Sequence, residues 1–334
     1  MYARIFAAMH AIIPVAGIGT RLRPFTHSLP KVLVNVAGKP ILGHILDSLV
    51  QQGITTATII TGYKGDLVED YVRSTYSLDA RFVQQDEMLG LGHAIWSARE
   101  SLGDEPVLII LGDTVFDVDL SVLATRQFSS LGVKHVDDPR RFGVVIEEGG
   151  FVTRLVEKPE TLVSTMAIVG LYYIHQPSRL KLALDRLISE NIRTKGEYQL
   201  TDALQIMVDS GEKFTTFPVE GWYDCGKPET LLQTNRFLLT QRGEMPTAPR
   251  GCVLIPPVHV DPTAVVEHSV IGPYASISKG SVVRNSIIRD SIISDNASVA
   301  DISLDQSIIG ENAEVTGRFS SINIGDGSIV RLSQ

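Results

Sequence analysis

The clearest chemistry in this chain lies in Ile13-Pro14-Val15-Ala16-Gly17-Ile18-Gly19-Thr20-Arg21-Leu22-Arg23-Pro24 and in Pro30-Lys31 just beyond it. An apolar strand runs into a glycine loop with two cationic side chains, and a lysine follows ten residues after Arg21. Glycines let backbone N–H groups close on phosphate oxygens, so the pattern suits a polyanionic ligand. A Walker loop is excluded, because Gly17 is followed by Ile-Gly-Thr-Arg-Leu rather than leading to Gly-Lys-Ser/Thr. A dinucleotide fingerprint is excluded, because Leu22 stands where a third glycine is needed. Asp113 follows the apolar run 107–111 at a strand's carboxyl end, and it and Asp224, in Trp222-Tyr223-Asp224-Cys225-Gly226, could each cap a turn. Lys158, before Pro159, reads by itself as a solvated lysine at a strand end. The eight histidines show no ligand spacing and read as structural or exposed. Cys225 and Cys252 have no histidine partner in sequence, so nucleophilic catalysis has little support. Two cysteines also cannot form a disulfide framework or a metal cluster.

These residues must be positioned by an ordered scaffold, and its periodicities change once along the chain. Residues 11–15, 55–61 and 107–111 are apolar, β-branched runs of strand length, and helical spacing fills 41–52, 65–73 and 91–102. Strands alternating with helices predict a mostly parallel sheet covered on both faces, with ligands at the carboxyl ends of its strands. Four prolines punctuate 244–257. Beyond them Val265, Ile271, Ile277, Val283, Ile288, Ile293, Val299, Ile309 and Val315 recur mostly five or six apart, with small or polar residues between. That spacing predicts a solenoid of short parallel strands, about four coils by its period. The expected organisation is a domain over 1–242, a linker over 243–257 and a solenoid over 258–334. Met9 reads as the natural start, directly before the first strand.

The net charge of −8 argues against a nucleic-acid or anionic-membrane partner, both of which need a basic excess. A few cations in one cleft still suffice for a small polyanion. With 44% hydrophobic and 20% charged residues the composition is that of an ordinary globular protein, and the cytoplasm is the expected location.

The string Gly17-Ile-Gly-Thr-Arg-Leu-Arg-Pro, with Pro30-Lys31, resembles the signature of the sugar-1-phosphate nucleotidyltransferases, most closely glucose-1-phosphate thymidylyltransferases, over residues 10 to 240. The hexad form of the C-terminal repeat resembles a left-handed parallel β-helix. The resemblance implies a Rossmann-like three-layer α/β domain with that short β-helix appended. It implies that Ala16, Gly17, Gly19, Thr20, Gln85 and Gly90 bind the nucleotide, with Gln85 and Gly90-Leu91-Gly92 reading the base. It implies that Gly143, Glu157, Lys158 and Gly170 bind the sugar phosphate, and that Asp113 and Asp224 hold Mg²⁺. Glu197 and Thr201-Asp202 match a further segment of that family. One departure is Ala16, where thymidylyl enzymes usually carry a second glycine and uridylyl enzymes resemble this chain more.

The implied reaction joins a nucleoside triphosphate to a sugar 1-phosphate. A phosphate oxygen is already ionised at neutral pH, so no strong base is needed, and catalysis is positioning and charge neutralisation. Arg21 would clamp the triphosphate, Lys31 would neutralise phosphates near the reacting centre, Lys158 would hold the sugar phosphate and Glu157 the sugar hydroxyls. dTTP or UTP with glucose 1-phosphate is expected first, and GTP with mannose 1-phosphate next. A non-catalytic sugar-nucleotide sensor is the rival from another class, which Arg21, Lys31, Asp113, Lys158 and Asp224 together oppose. An acyltransferase on the solenoid is a second rival, but His259 and His268 lie only at its start. The solenoid is expected to serve assembly into a homo-oligomer.

Overall fold

A computed structural model describes residues 9–123, 125–243 and 246–317, and the chain divides into two compact units, Met1–Thr234 and Asn235–Gln334. The residues before Met9, the expected start, and the part of the expected solenoid beyond residue 317 lie outside the described residues.

The first unit is built on a nine-stranded mixed sheet. Its central strand His10–Pro14 runs parallel to Thr56–Thr61 on one side and to Val107–Ile110 on the other, and Asp79–Gln84 extends the parallel arm beyond Thr56–Thr61. These are the apolar runs anticipated from sequence. Ala11, Ile12, Ile13 and all of Val107–Ile110 are buried, the continuous apolar pattern of parallel strands covered on both faces. Beyond Val107–Ile110 the sheet turns antiparallel around Met166–Ile174, which pairs with Val107–Ile110, Ser129–His135 and Gly143–Glu148. The helix Ile41–Gln51 buries Ile41, Leu42, Ile45, Leu46 and Leu49, a stripe at i, i+4 spacing. The expected helix over 91–102 is shorter: Leu91–Ser97 is α-helical, and the chain tightens at Ala98 into a 3₁₀ turn, Arg99–Ser101. Ala16, Gln85 and Gly112-Asp113 each follow the carboxyl end of one of these parallel strands, so one edge of the sheet gathers the residues singled out above.

The second unit stacks three four-stranded parallel sheets, one on each face of a left-handed parallel β-helix. Aliphatic residues align in register up each face: Ile271 with Ile288 and Leu304, Ile277 with Ile293 and Ile309, and Val283 with Val299 and Val315. Val265, expected to take part, is 42% exposed, and its neighbour Val266 at 5% is the residue that points inward. Strand side chains alternate faces, so a displacement by one residue inverts the assignment. The coil repeats every 17 residues at Val266↔Val283 but every 16 at Val283↔Val299. The shorter corners hold Asn285, Asp290, Asn296, Asp301 and Asn312 at positive φ, where Asn and Asp are the tolerated non-glycine residues. The C-terminal half of the helix Pro228–Arg242 belongs to this unit. Its Asn235 amide donates to the Tyr274 carbonyl at 2.9 Å and accepts from the Ser276 hydroxyl at 2.6 Å, while Arg236 forks onto the buried Asp290 carboxylate.

Candidate active site

A pocket of about 240 Å³ opens at the carboxyl edge of the first unit's sheet, and Arg21, Asp113, Gly143, Glu157, Thr201 and Asp224 are among its walls. Lys31 is 6% exposed, and its Nζ donates to Asp113 Oδ2 at 2.5 Å. A lysine that deep requires a counter-charge, and Asp113 supplies it. Burial opposes ionisation of Asp113, but Lys31, the Thr114 hydroxyl and Arg21 more than offset it and hold the carboxyl below its usual range. Asp224 arrives on Gly221–Asp224, antiparallel to Thr114–Asp117 with Asp224 opposite Thr114. The Cys225 amide donates to the Asp113 carbonyl at 3.0 Å, which ties the two carboxylate segments together. Arg21 and Asp224 meet over Gly226, where an added Cβ would lie 2.9 Å from Arg21 Nη2 and 2.8 Å from Asp224 Oδ1.

Glu157 and Thr201 line the same pocket. Glu157 Oε2 accepts from the Thr201 hydroxyl at 2.7 Å, and Lys158 Nζ stands 3.6 Å from Glu157 Oε1. Gly143 lies so close that a Cβ there would stand 2.9 Å from both Glu157 Oε2 and Thr201 Oγ1. Gly170 backs this wall: it packs on Leu111, and its carbonyl accepts from the Leu111 amide at 3.0 Å. Thr201 is the residue whose job sequence alone did not define. Its segment was marked, but its partner lies 44 positions away in the chain.

The expected nucleotide side is a separate cluster of loops on the same edge. Gly19 turns at φ 70°, and its missing Cβ leaves room for Lys31, whose own Cβ would be 2.8 Å away. Gly17 and Thr20 are exposed, with open space above Gly17, whereas the Ala16 methyl is buried toward Gly62. Gln85 is 4% exposed, and its amide donates to the Gly90 carbonyl at 3.4 Å and to His93 Nδ1 at 3.1 Å. Gly90 sits at φ 111° with Tyr198 O 2.6 Å from any added Cβ, so no other residue fits there. His93 is structural, as expected of the histidines, yet it is also part of the Gln85 cluster, which its spacing in sequence did not reveal. Cys225 is fully buried and its thiol is pushed up to about 12 by burial, which keeps it protonated at neutral pH.

Asp113 and Asp224 give a donor set of two carboxylates open to a pocket, and no group of three or more His, Cys, Asp or Glu suited to a metal occurs among the described residues. Hard oxygens with room for phosphate and water suit Mg²⁺, which keeps much of its own hydration.

An α/β sheet that ends in a glycine loop, a buried Lys–Asp pair and a second carboxylate defines a class of phosphate-handling, nucleotide-binding enzymes. The chain belongs to the nucleotidyl transferase family, whose profile matches residues 10–241. It is 31% identical to glucose-1-phosphate thymidylyltransferase of Streptomyces griseus, over 97% of this chain and 100% of that protein. It is 32% identical to UTP–glucose-1-phosphate uridylyltransferase 1 of Staphylococcus saprophyticus, over 67% of this chain and 90% of that protein. A crystal structure of UDP-glucose pyrophosphorylase complexed with UDP-glucose superposes with a TM-score of 0.60 at 25% identity, over 70% of this chain and 99% of that one. No helix among the described residues is long and apolar enough to cross a membrane.

Proposed function

We propose that the protein transfers a nucleoside monophosphate from a nucleoside triphosphate to a sugar 1-phosphate, with dTTP or UTP and glucose 1-phosphate as substrates. A sugar-phosphate oxygen attacks the α-phosphorus, one P–O bond forms, the bond to the β-phosphate oxygen breaks, and pyrophosphate leaves. The observation that carries this reading is one pocket whose lining includes Arg21, Asp113 with Lys31 buried behind it, and Glu157 held by Thr201. The pocket thus offers the Arg21 guanidinium to phosphates and the Glu157 carboxylate as an acceptor from sugar hydroxyls.

Arg21 and the amides of Ala16, Gly17, Gly19 and Thr20 would clamp the triphosphate, and Lys31 would neutralise charge beside the α-phosphate. Lys158 would hold the phosphate of the incoming sugar, Gly143 and Gly170 would shape its wall, and Gln85 with Gly90 would contact the base. Asp113 and Asp224 would hold Mg²⁺, which when bound supplies positive charge against the accumulating phosphate charge. The similarity to both a thymidylyl and a uridylyl enzyme supports a pyrimidine triphosphate, and the shared glucose 1-phosphate in their names supports the acceptor. A cytoplasmic location is proposed with these substrates, and the β-helix is proposed as the surface for assembly.

The test is pyrophosphate release with Mg²⁺ across dTTP, UTP, GTP and ATP against glucose, mannose, galactose and glucosamine 1-phosphates. One strong combination, lost on adding a chelator, establishes the reaction and its substrates. Silence from folded protein that still binds sugar nucleotide overturns it in favour of a sensor.

A further inference from the structure

The carboxamide of Gln85 has lost its freedom to rotate. Its two N–H donors are both spent, one on the Gly90 carbonyl at 3.4 Å and one on His93 Nδ1 at 3.1 Å. Both acceptors lie on the nitrogen side, so turning the amide over would set its oxygen against two lone pairs. Among the described residues none donates to Gln85 Oε1.

His93 is itself held rigidly. Its ring stacks on Trp96 at 5.8 Å and on Tyr198 at 6.3 Å, with interplanar angles of 29° and 25°. Trp96 is fixed by its indole N–H on Asp185 at 2.9 Å, and Tyr198 by its hydroxyl on Asn191 at 2.7 Å. Burial lowers the His93 pKa, while the Glu87 charge and a hydrogen bond to the Glu87 backbone oppose that shift only in part. The ring is therefore neutral at physiological pH, and with a donor facing Nδ1 its proton sits on Nε2.

We propose that His93 is a positioning residue that locks Gln85 with its amide oxygen toward the nucleobase, so the site selects bases whose pairing edge offers a ring N–H. The inference rests on the reading of Gln85 as the residue that contacts the base. Uracil, thymine and guanine present a ring N–H beside a carbonyl. Cytosine and adenine present a bare ring nitrogen in that place, and two acceptors facing each other repel. Without His93 the amide is free to turn and offer N–H instead, and the discrimination falls.

The experiment measures kcat/KM for UTP and for CTP at saturating sugar 1-phosphate, together with calorimetric binding of each triphosphate. Wild-type protein is expected to prefer UTP by about a hundredfold. His93→Phe keeps a stacking ring but removes the acceptor; it should cut that preference about tenfold and raise the UTP KM while the sugar 1-phosphate KM stays put. His93→Asn returns an acceptor near the position of Nδ1 and should restore most of the preference. In a Gln85→Ala background, His93→Phe should do nothing further. Should the Phe variant fail to fold, His93→Leu reports the same loss. An unchanged UTP-to-CTP ratio in His93→Phe, or an undiminished effect of that change without Gln85, overturns the proposal. Selective binding of UTP that weakens in His93→Phe, in a protein that turns over nothing, supports it while defeating the catalytic reading. Turnover by a wild type indifferent to the base defeats this proposal alone.

Discussion

The two units handle polar groups in opposite ways. In the nucleotidyl transferase unit Lys31 is 6% exposed and its ammonium is balanced by the Asp113 carboxylate, 82 positions away in the turn after Val107–Ile110. In the β-helix the interior is aliphatic, the buried polar groups are mostly serines bonded to backbone of the same or the next coil, and the ion pairs Glu267–Arg284 and Arg289–Asp305 join neighbouring coils on the outside. Groups of the first kind meet partners that occur once in the unit, as Lys31 meets Asp113. Each position of the second kind is one rung of a ladder, supported by the rungs above and below. A fold that repeats a contact can lose one and keep its function, whereas a site that makes each contact once cannot.

The sharpest test of that contrast is Asp224→Asn. It should lower kcat about a thousandfold and leave the melting temperature near wild type. Asp113→Asn should lose as much activity and also about 1–3 kcal/mol of stability, because Lys31 is left buried without its counter-charge. Full activity with Mg²⁺ in both variants would show that the metal assignment is wrong. Next in size is Ile288→Ala, at a fully buried position between Ile271 and Leu304. It should cost about 2–4 kcal/mol by thermal melting while kcat, measured below the transition, is unchanged. A parallel fall in kcat would break the separation between ladder and site. Thr201→Val removes the hydrogen bond that pins Glu157 and should raise the sugar 1-phosphate KM about five- to tenfold, leaving the triphosphate KM alone. Equal changes in both constants would remove Glu157 from the sugar side. The smallest effect is expected at Arg284→Ala, which deletes an exposed pair with Glu267, 51% and 48% accessible. Melting curves should coincide with wild type, since such pairs are screened by solvent and salt.

Much of the fold was legible because its signals are local. A continuous apolar run such as Val107–Ile110 has few uses other than a covered strand, and recurrent aliphatic residues without helical spacing have few uses other than a solenoid. The failures are local too. At Val265 the face of the strand was displaced by one residue, and at Ala98 an apparently helical pattern ran on past the point where the backbone tightens. The antiparallel arm around Met166–Ile174 left no comparable mark, since pairing partners are not encoded in any one strand.

The sequence by itself determined the residue types of the site and the order in which they occur. The glycine loop with Arg21 and Lys31 stands out because phosphate chemistry admits few other groups, while Asp113, Asp224 and Glu157-Lys158 stand out through the family resemblance that the loop opens. What only the tertiary structure decided is which of them touch. Lys31 meets Asp113, Thr201 holds Glu157, and His93 turns the Gln85 amide, and only the last pair is close in sequence. Residue type is a property of the chain, but charge balance, hydrogen-bond direction and burial depend on neighbours that packing alone brings within about 3 Å.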